Sequence, residues 1–342
     1  MSGQHVARHL QSSAPARRPR WPLPVLAVGL LSGVAGFVAF RPGTAEVDTG
    51  PSTALASENG DIALCSRASL GERAGLVLVV GLPGVTGADD PLVDRLVAAH
   101  VGGVMLRDEN IRNEDQAREL VTGLRDRLGE RLLVAVDDEG GRVTSMGELG
   151  QSVISARRLG QRGPQAALEA GQELGKLAAS VGIDWVFAPV ADLDDGPASG
   201  VIGDRSFGDD PVTVAEAATA FAQGLRAEGL AVTAKHFPGH GGDGDPHVGG
   251  AVDDSPLDDL VEEDLVPFTA LIDDGAEAVM VSHVTYPEAW DELPASLEPR
   301  VYELLRAQGF GGVAITDALG MGAIHARWGF DAAPAMAVAA GA

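Results

Sequence analysis

Short apolar runs alternate with longer amphipathic stretches along most of this chain. Seven runs are apolar at nearly every position and are mostly bounded by Gly, Pro or Asp, as strands buried on both faces are. They are residues 76–80, 101–106, 132–136, 185–189, 230–235, 278–282 and 313–316. The pattern predicts seven strands of a mostly parallel sheet.

Helical periodicity fills the intervals between these runs. The predicted helices are residues 92–99, 114–128, 165–181, 212–228, 260–273 and 299–307. Regular β-α alternation requires a parallel sheet with helices outside it. Polar or Gly-rich segments follow one strand after another, as at the active-site face of a (β/α)8 barrel, whereas a doubly wound sheet gathers them at one switch point. The predicted fold class is therefore α/β, a (β/α)8 TIM-type barrel.

The end of the sequence affects this prediction. A further helix is predicted to begin around Ala332, and the sequence stops at Gly341-Ala342, before an eighth strand. We therefore expect a barrel that lacks its last strand, over residues 67–342. Two unpaired edges and an exposed apolar seam would follow from this, and they favour association.

The first 66 residues have a different pattern. Residues 22–40 are apolar and uncharged, and they follow the basic residues 1–21. If these residues form a hydrophobic helix, its length is about 28 Å, close to the thickness of the hydrocarbon core of a membrane. The flanking arginines predict a cytoplasmic N-terminus and a signal anchor, so that the body is extracytoplasmic, membrane-anchored or secreted. A cleaved signal peptide and a buried core helix are the alternatives. Residues 41–66 are typical of a linker.

Charge and cysteine content exclude some functions. The net charge is −24, although residues 1–41 hold five arginines and no acidic residue. Such an acidic protein repels the phosphate backbone of nucleic acids, and we therefore expect no nucleic-acid partner. Cys65 is the single cysteine, so an intrachain disulfide and a CxxC metal site are excluded.

Residues 235–247 carry the strongest chemical signal, because three of the eight histidines and one of the two lysines fall there. Pro and Gly residues exclude a helix, so His236 and His240 are not the i, i+4 pair of a helical zinc motif. Asp245, two residues before His247, can orient its imidazole for proton transfer. A metal site and an inert solvated loop are the alternatives.

Three other segments follow predicted strands or lie in tight loops. Asp317 directly follows a strand, where a carboxylate can attack an anomeric carbon or cap the next helix. Residues 137–139 are consecutive acids before two glycines, a pattern that fits contacts to sugar hydroxyls or a polar turn. Arg205 could bind a carbonyl or carboxylate, or form a surface salt bridge.

Six segments in order resemble the N-terminal barrel of glycoside hydrolase family 3, in its β-N-acetylhexosaminidase branch. They are residues 136–143, 187–192, 202–208, 235–247, 282–284 and 316–321. The resemblance implies that Asp317 is the nucleophile and that His247, oriented by Asp245, is the acid/base. It also implies the residues that hold N-acetylglucosamine, which are Asp137, Arg205, Lys235 and His236. A few residues after the Gly-Gly-Arg of residues 140–142, many members of the family have a second Arg, whereas this chain has Ser145.

The predicted function is that of a retaining exo-β-N-acetylglucosaminidase. By resemblance, its substrate is a β-N-acetylglucosaminide or muropeptide, and it needs no metal or organic cofactor. The alternatives are an exported sugar-binding protein without turnover, a truncated fragment and a metal-dependent hydrolase. A further hypothesis is that phosphate replaces water in product release, because a His base does not repel it.

Overall fold

The computed structural model describes residues 68–194, 196–290 and 292–342. The basic N-terminus, the apolar segment 22–40 and the linker 41–66 lie outside the described residues. Within the described part of the chain, no helix is long and apolar enough to cross a membrane.

Ten strands are present in the described residues. They are β1 Val79–Gly81, β2 Gly103–Leu106, β3 Leu133–Val136, β4 Trp185–Val186, β5 Ala231–Phe237, β6 Asp243–Gly244, β7 Ala251–Val252, β8 Ala278–Val281, β9 Val284–Thr285 and β10 Val313–Thr316. The main sheet is wholly parallel, in the order β1-β2-β3-β4-β5-β8-β10. These are the seven predicted strands, which are thereby confirmed. A second sheet has the order β6-β7-β9.

Helices lie between successive strands of the main sheet, with one more before β1 and one after β10. They are α1 Leu70–Leu76, α2 Pro91–Ala98, α3 Glu114–Leu128, α4 Ala156–Arg162, α5 Pro164–Ser180, α6 Pro211–Ala227, α7 Leu265–Asp273, α8 Pro299–Ala307 and α9 Gly322–Ala340. A turn at Leu257–Asp259 and a π-helical turn at Leu260–Asp264 precede α7, and short 3-10 turns occur at Asp108–Asn110, Gly147–Leu149, Gly203–Arg205 and Ala295–Leu297. The six predicted helices agree with the structure to within a few residues.

Proline at the first helical position accounts for several of these starts, because its fixed φ suits that position and its missing N–H is not needed there. Asp210 also caps α6, its side chain accepting a hydrogen bond from the Thr213 N–H.

One predicted boundary was wrong, and the first part of α9 was not predicted. The segment α9 consists of two helices joined at Gly329; the second agrees with the helix predicted to begin around Ala332, and the first, from Gly322, was not predicted because it carries exposed polar residues and lacks an apolar period. Gly329 interrupts α9 with a φ of +62°, a conformation that favours glycine. The first predicted strand was placed three residues too early, because residues up to Leu76 continue a short helix capped by Ser69 and Glu72.

The main sheet is buried on both faces. Alternate strand residues such as Val134, Val186 and Val232 pack in the large core that the helices share. On the other face a smaller cluster forms around Ala135, Trp185, Phe187, Ala278 and Met280. Within the described residues, β1 and β10 are the two ends of the sheet and do not pair with each other. The carboxyl ends of the strands meet at one edge, where the polar residues collect.

Candidate active site

The end of β5 directs two consecutive side chains, Lys235 and His236, into the same site. Successive strand residues normally point to opposite faces. Here the pairing of β5 with β8 shifts in register between Lys235 and Phe237. A bulge of this kind re-aims a side chain. As a result, the Lys235 ammonium contacts Asp137 while the His236 ring faces Asp317.

Glu139 joins the two cations of the site. Lys235 Nζ lies 2.6 Å from Glu139 Oε1 and 2.6 Å from Asp137 Oδ1. Arg205 donates two hydrogen bonds of 2.8 Å to the Glu139 carboxylate. Burial opposes ionisation of Glu139, but Lys235 and Arg205 hold its pKa well below the usual range. Since the Arg205 side chain is only 10% exposed, its interpretation as a surface salt bridge was wrong.

Asp192 orients the His236 ring from its buried side. Its carboxylate is fully buried and accepts the His236 backbone N–H at 2.9 Å, while its second oxygen lies 2.7 Å from His236 Nδ1. A carboxylate accepts, so Nδ1 is the donor and Nε2 is left toward the site. Nε2 lies 3.4 Å from Arg205 Nη2 and 4.0 Å from Asp317 Oδ2.

Asp317 stands at the end of β10 with its side chain 20% exposed. Its backbone N–H donates to the Val281 carbonyl, which extends the pairing of β10 with β8 by one residue. Oδ1 accepts the Ala318 N–H at 2.6 Å. Burial favours the neutral acid, but the neighbouring His236 and His283 outweigh it and lower the pKa of Asp317 to about 2. The carboxylate is therefore ionised near neutral pH.

His283 fixes the residue that follows Asp317. Its Nε2 lies 3.1 Å from the Ala318 carbonyl oxygen and its Nδ1 lies 2.7 Å from Ser296 Oγ. A carbonyl only accepts, so Nε2 carries the proton and Nδ1 accepts from the serine hydroxyl. Burial lowers the pKa of His283 and favours this neutral form.

The histidine loop, residues 240–252, lies at the rim of the site. Its β6–β7 hairpin pairs through β7 with β9, directly after His283. Asp245 Oδ1 lies 2.7 Å from His247 Nδ1 and accepts the His247 backbone N–H at 3.0 Å. The His247 carbonyl accepts the Gly322 N–H at 3.0 Å. This bond holds the loop against the turn that follows Asp317, and the His247 side chain remains 58% exposed.

The three consecutive acids after β3 have different environments. Asp137 faces the opening and is 39% exposed, whereas Glu139 is buried in the ion-pair network. Asp138 is fully buried and accepts hydrogen bonds from the backbone N–H groups of Ser145 and Met146, both at 3.0 Å. Burial raises the pKa of Asp138 to about 6. Asp138 thus shapes the loop, and buried Ser145 donates its hydroxyl to the Asp137 carbonyl.

The structure brings together five of the seven predicted site residues in one network of contacts. They are Asp137, Arg205, Lys235, His236 and Asp317. Asp245 and His247 form a separate pair on the histidine loop. In the described part of the chain, no group of three or more His, Cys, Asp or Glu side chains is arranged to hold a metal ion. Three further residues of the site, Glu139, Asp192 and His283, lie in segments singled out from the sequence but were not predicted as individual site residues.

The comparisons with known proteins identify the family. Residues 80–342 match the glycosyl hydrolase family 3 N-terminal domain. The chain belongs to glycoside hydrolase family 3. It is therefore a glycoside hydrolase, and the resemblance stated from the sequence is confirmed. A β-hexosaminidase of Xylella fastidiosa (strain M12) is 43% identical over 258 residues, which cover 73% of this chain and 76% of that protein.

Solved structures of family 3 members have the same fold. A β-N-acetylglucosaminidase from Paenibacillus sp. str. FPU-7 matches with a TM-score of 0.76 at 34% identity, over 80% of this chain and 54% of that chain. NagZ from Neisseria gonorrhoeae, in complex with N-trifluoroacetyl-D-glucosamine, matches with a TM-score of 0.70 at 32% identity, over 77% of this chain and 78% of that one.

Proposed function

We propose that this protein is a retaining exo-β-N-acetylglucosaminidase that acts on peptidoglycan-type fragments. One observation carries the proposal: an ionised carboxylate, Asp317, stands at the carboxyl end of β10 beside His236, and a second acid-base unit, Asp245–His247, lies on the adjacent rim. The β-hexosaminidase relatives and the sugar-analogue complex of a structural neighbour support the glycone.

In the first step, Asp317 attacks the anomeric carbon and His247 gives its proton to the leaving oxygen. The glycosidic C–O bond breaks as the bond to the Asp317 oxygen forms. In the second step, His247 takes a proton from water, whose oxygen displaces Asp317 from the sugar. Asp245 holds the imidazole through Nδ1 and stabilises the imidazolium that forms.

In this proposal the sugar binds to the floor of the site, which is formed by Asp137, Lys235, Arg205 and His236. Asp137 is partly exposed above the ion-pair network and offers a carboxylate oxygen to a hydroxyl group. Lys235 and Arg205 offer donors that Glu139 holds in place, and Asp192 holds His236 with its Nε2 atom facing the site. Such preorganised groups bind without reorganising when the substrate enters.

The test is release of a chromogenic phenol from its N-acetyl-β-glucosaminide, compared with the matching β-glucoside and with the Asp317→Asn variant. We expect activity on the acetylated sugar alone and its loss in the variant. Wild-type activity that disappears with a chelator would favour the metal-dependent alternative. Saturable binding of N-acetylglucosamine by folded protein without turnover would instead identify a binding protein.

We also propose that the seven parallel strands belong to an eight-stranded barrel, with the missing strand between β1 and β10. Both strands are free along one edge within the described residues, and the sheet order follows the chain. Barrels place their active sites at the carboxyl ends of the strands, where this site lies. A structure in which β1 and β10 pair directly would contradict this.

For location, we propose that residues 22–40 form a signal anchor and that the enzyme works outside the cytoplasm. The apolar segment, which four arginines precede, supports this. A fusion of residues 1–66 to a reporter enzyme active only outside the cytoplasm tests it. An inactive, cytoplasmic fusion would overturn the proposal, and a shortened, released fusion would indicate a cleaved signal peptide.

A further inference from the structure

Two ion pairs of opposite polarity join the turn after β3 to the loop that carries Arg205. Glu139 accepts two hydrogen bonds from Arg205. Three residues further along the turn, Arg142 Nε donates to Asp204 Oδ1 at 2.8 Å. Exchanging the partners would bring like charges together, Glu139 beside Asp204 and Arg142 beside Arg205. The two pairs therefore favour one alignment of the two segments over others.

The backbone of the turn fixes the spacing of its two charges. Gly140 and Gly141 have φ values of +78° and +59°, in the left-handed region that favours glycine. The Glu139 N–H donates to the Val143 carbonyl at 2.9 Å and closes the turn. Glu139 and Arg142 are thus held on one tight turn, and their side chains contact the same neighbouring loop.

Arg142 makes further contacts beyond its ion pair. The side chain is 40% exposed, and an ion pair this exposed contributes little by itself. However, Nη2 also donates to the carbonyls of three successive residues, Gly200 at 2.5 Å, Val201 at 3.2 Å and Ile202 at 2.9 Å. Carbonyl oxygens that converge in this way repel one another unless a cation lies between them. Arg142 therefore maintains the conformation of these three residues.

The Val201 carbonyl connects Arg142 to Arg205. It accepts hydrogen bonds from both guanidinium groups, from Arg142 Nη2 at 3.2 Å and from Arg205 Nη1 at 3.1 Å. With Nη1 bound there, Arg205 Nη2 donates to Glu139 at 2.8 Å and lies 3.4 Å from His236 Nε2. The direction of the Arg205 guanidinium thus depends on a carbonyl group that Arg142 holds.

We propose that Arg142 is a positioning residue, which holds the carbonyls of residues 200–202 so that the Arg205 guanidinium faces the N-acetylglucosaminyl unit of the substrate. The inference rests on the proposed function, in which Arg205 offers donors to the sugar. Arg142 acts through Arg205 rather than on the sugar itself. Its loss therefore weakens sugar binding and leaves the chemistry of Asp317 and His247 in place.

The test is steady-state kinetics on a chromogenic N-acetyl-β-glucosaminide. For Arg142→Ala, we expect KM to rise about 10-fold, the effect of one lost charged hydrogen bond, with kcat changed less than about 2-fold. Arg142→Lys keeps a charge opposite Asp204 but lacks the planar guanidinium, so it should restore little of the lost affinity. The matched control is Arg127→Ala, which removes a similarly exposed guanidinium that joins the Asp94 carboxylate to the Ala88 carbonyl and should leave KM unchanged.

A double-mutant cycle separates positioning from a general loss of structure. In an Arg205→Ala background, Arg142→Ala should raise KM less than about 2-fold, because the group through which Arg142 acts is already absent. Arg205→Lys, which keeps a charge beside Glu139, is the second background and should give the same result.

Two outcomes would overturn the role of Arg142 alone. An equal rise of KM with and without Arg205 would show that Arg142 only supports the fold. An unchanged KM in Arg142→Ala, or its full recovery in Arg142→Lys, would show that the carbonyl contacts do not position Arg205. Failure of the wild type to cleave the substrate would instead overturn the proposed function, and this inference with it.

Discussion

The Lys235 ammonium lies 2.6 Å from the carboxylate of Glu139, and both side chains are buried. Glu139 also receives two hydrogen bonds from Arg205, so one carboxylate is shared by two cations. Removing one partner of a buried ion pair leaves uncompensated charge in a poorly solvated place. The stability of the site floor therefore depends on Glu139.

Glu139→Gln should lower the free energy of unfolding by about 3 kcal/mol, because two buried cations lose their shared counter-charge. Urea unfolding followed by circular dichroism measures this. The matched control is Glu114→Gln, whose pair with Arg118 is about half exposed and should contribute less than about 1 kcal/mol. Equal losses of unfolding free energy in Glu139→Gln and Glu114→Gln would contradict the conclusion that the stability of the site depends on Glu139.

Asp245→Asn should lower kcat/KM about 10- to 100-fold for substrates with basic leaving groups, and less for acidic phenols that leave without a proton. The reason is that Asp245 orients His247 and stabilises its protonated form. A series of aryl glycosides of graded phenol acidity measures the effect. Asp243→Asn, an exposed acid in the same loop, serves as the control. A uniform loss across the series would argue against a role in proton transfer.

The unfolding free energy should depend on pH through Asp317. Its pKa of about 2 in the folded protein is below the ordinary value of 3.8. A lowered pKa stabilises the folded state above the unfolded pKa, and this contribution is lost as the pH falls toward the folded pKa. The advantage of the wild type over Asp317→Asn, about 2 kcal/mol near neutrality, should therefore disappear between pH 4 and pH 2. Parallel pH profiles of the two proteins would refute this.

Gly322→Ala should displace the histidine loop. A Cβ at Gly322 would lie 2.7 Å from the Val248 carbonyl carbon and 2.8 Å from the Val248 carbonyl oxygen, closer than real contacts allow. A shift of about 1 Å in a catalytic group can cost on the order of 100-fold in rate, so kcat should fall at least about 10-fold. Steady-state kinetics measure this, with Gly311→Ala, where an added Cβ meets nothing within 4 Å, as the control.

Much of the fold follows from local pattern. The seven strands are short apolar runs between turn residues, and that signal is visible because both faces of each strand are buried. Asp317 was assigned for a related reason, since an acid right after a buried parallel strand has to emerge at the carboxyl edge. The helix α1 was missed because one capping box and two turns give too little periodicity.

The rest of the site depends on pairing across long sequence distances. The bulge at the end of β5 exists only through its register with β8, so nothing local shows that Lys235 and His236 share one side. Glu139 meets Arg205 across 66 residues, and Asp192 meets His236 across 44. His283 was noted in a motif, but its action through the Ala318 carbonyl becomes visible only when β8 and β10 are adjacent.

The ion-pair network has an uneven balance of charge. Its cations are Lys235 and Arg205, and the carboxylates that contact them or His236 are those of Asp137, Glu139, Asp192 and Asp317. Four acidic groups around two basic ones create a negative electrostatic potential above the floor. In glycoside cleavage the sugar ring passes from a neutral ground state to an oxocarbenium-like cation. The potential therefore stabilises the cation more than the neutral sugar, and this difference in affinity accelerates the reaction.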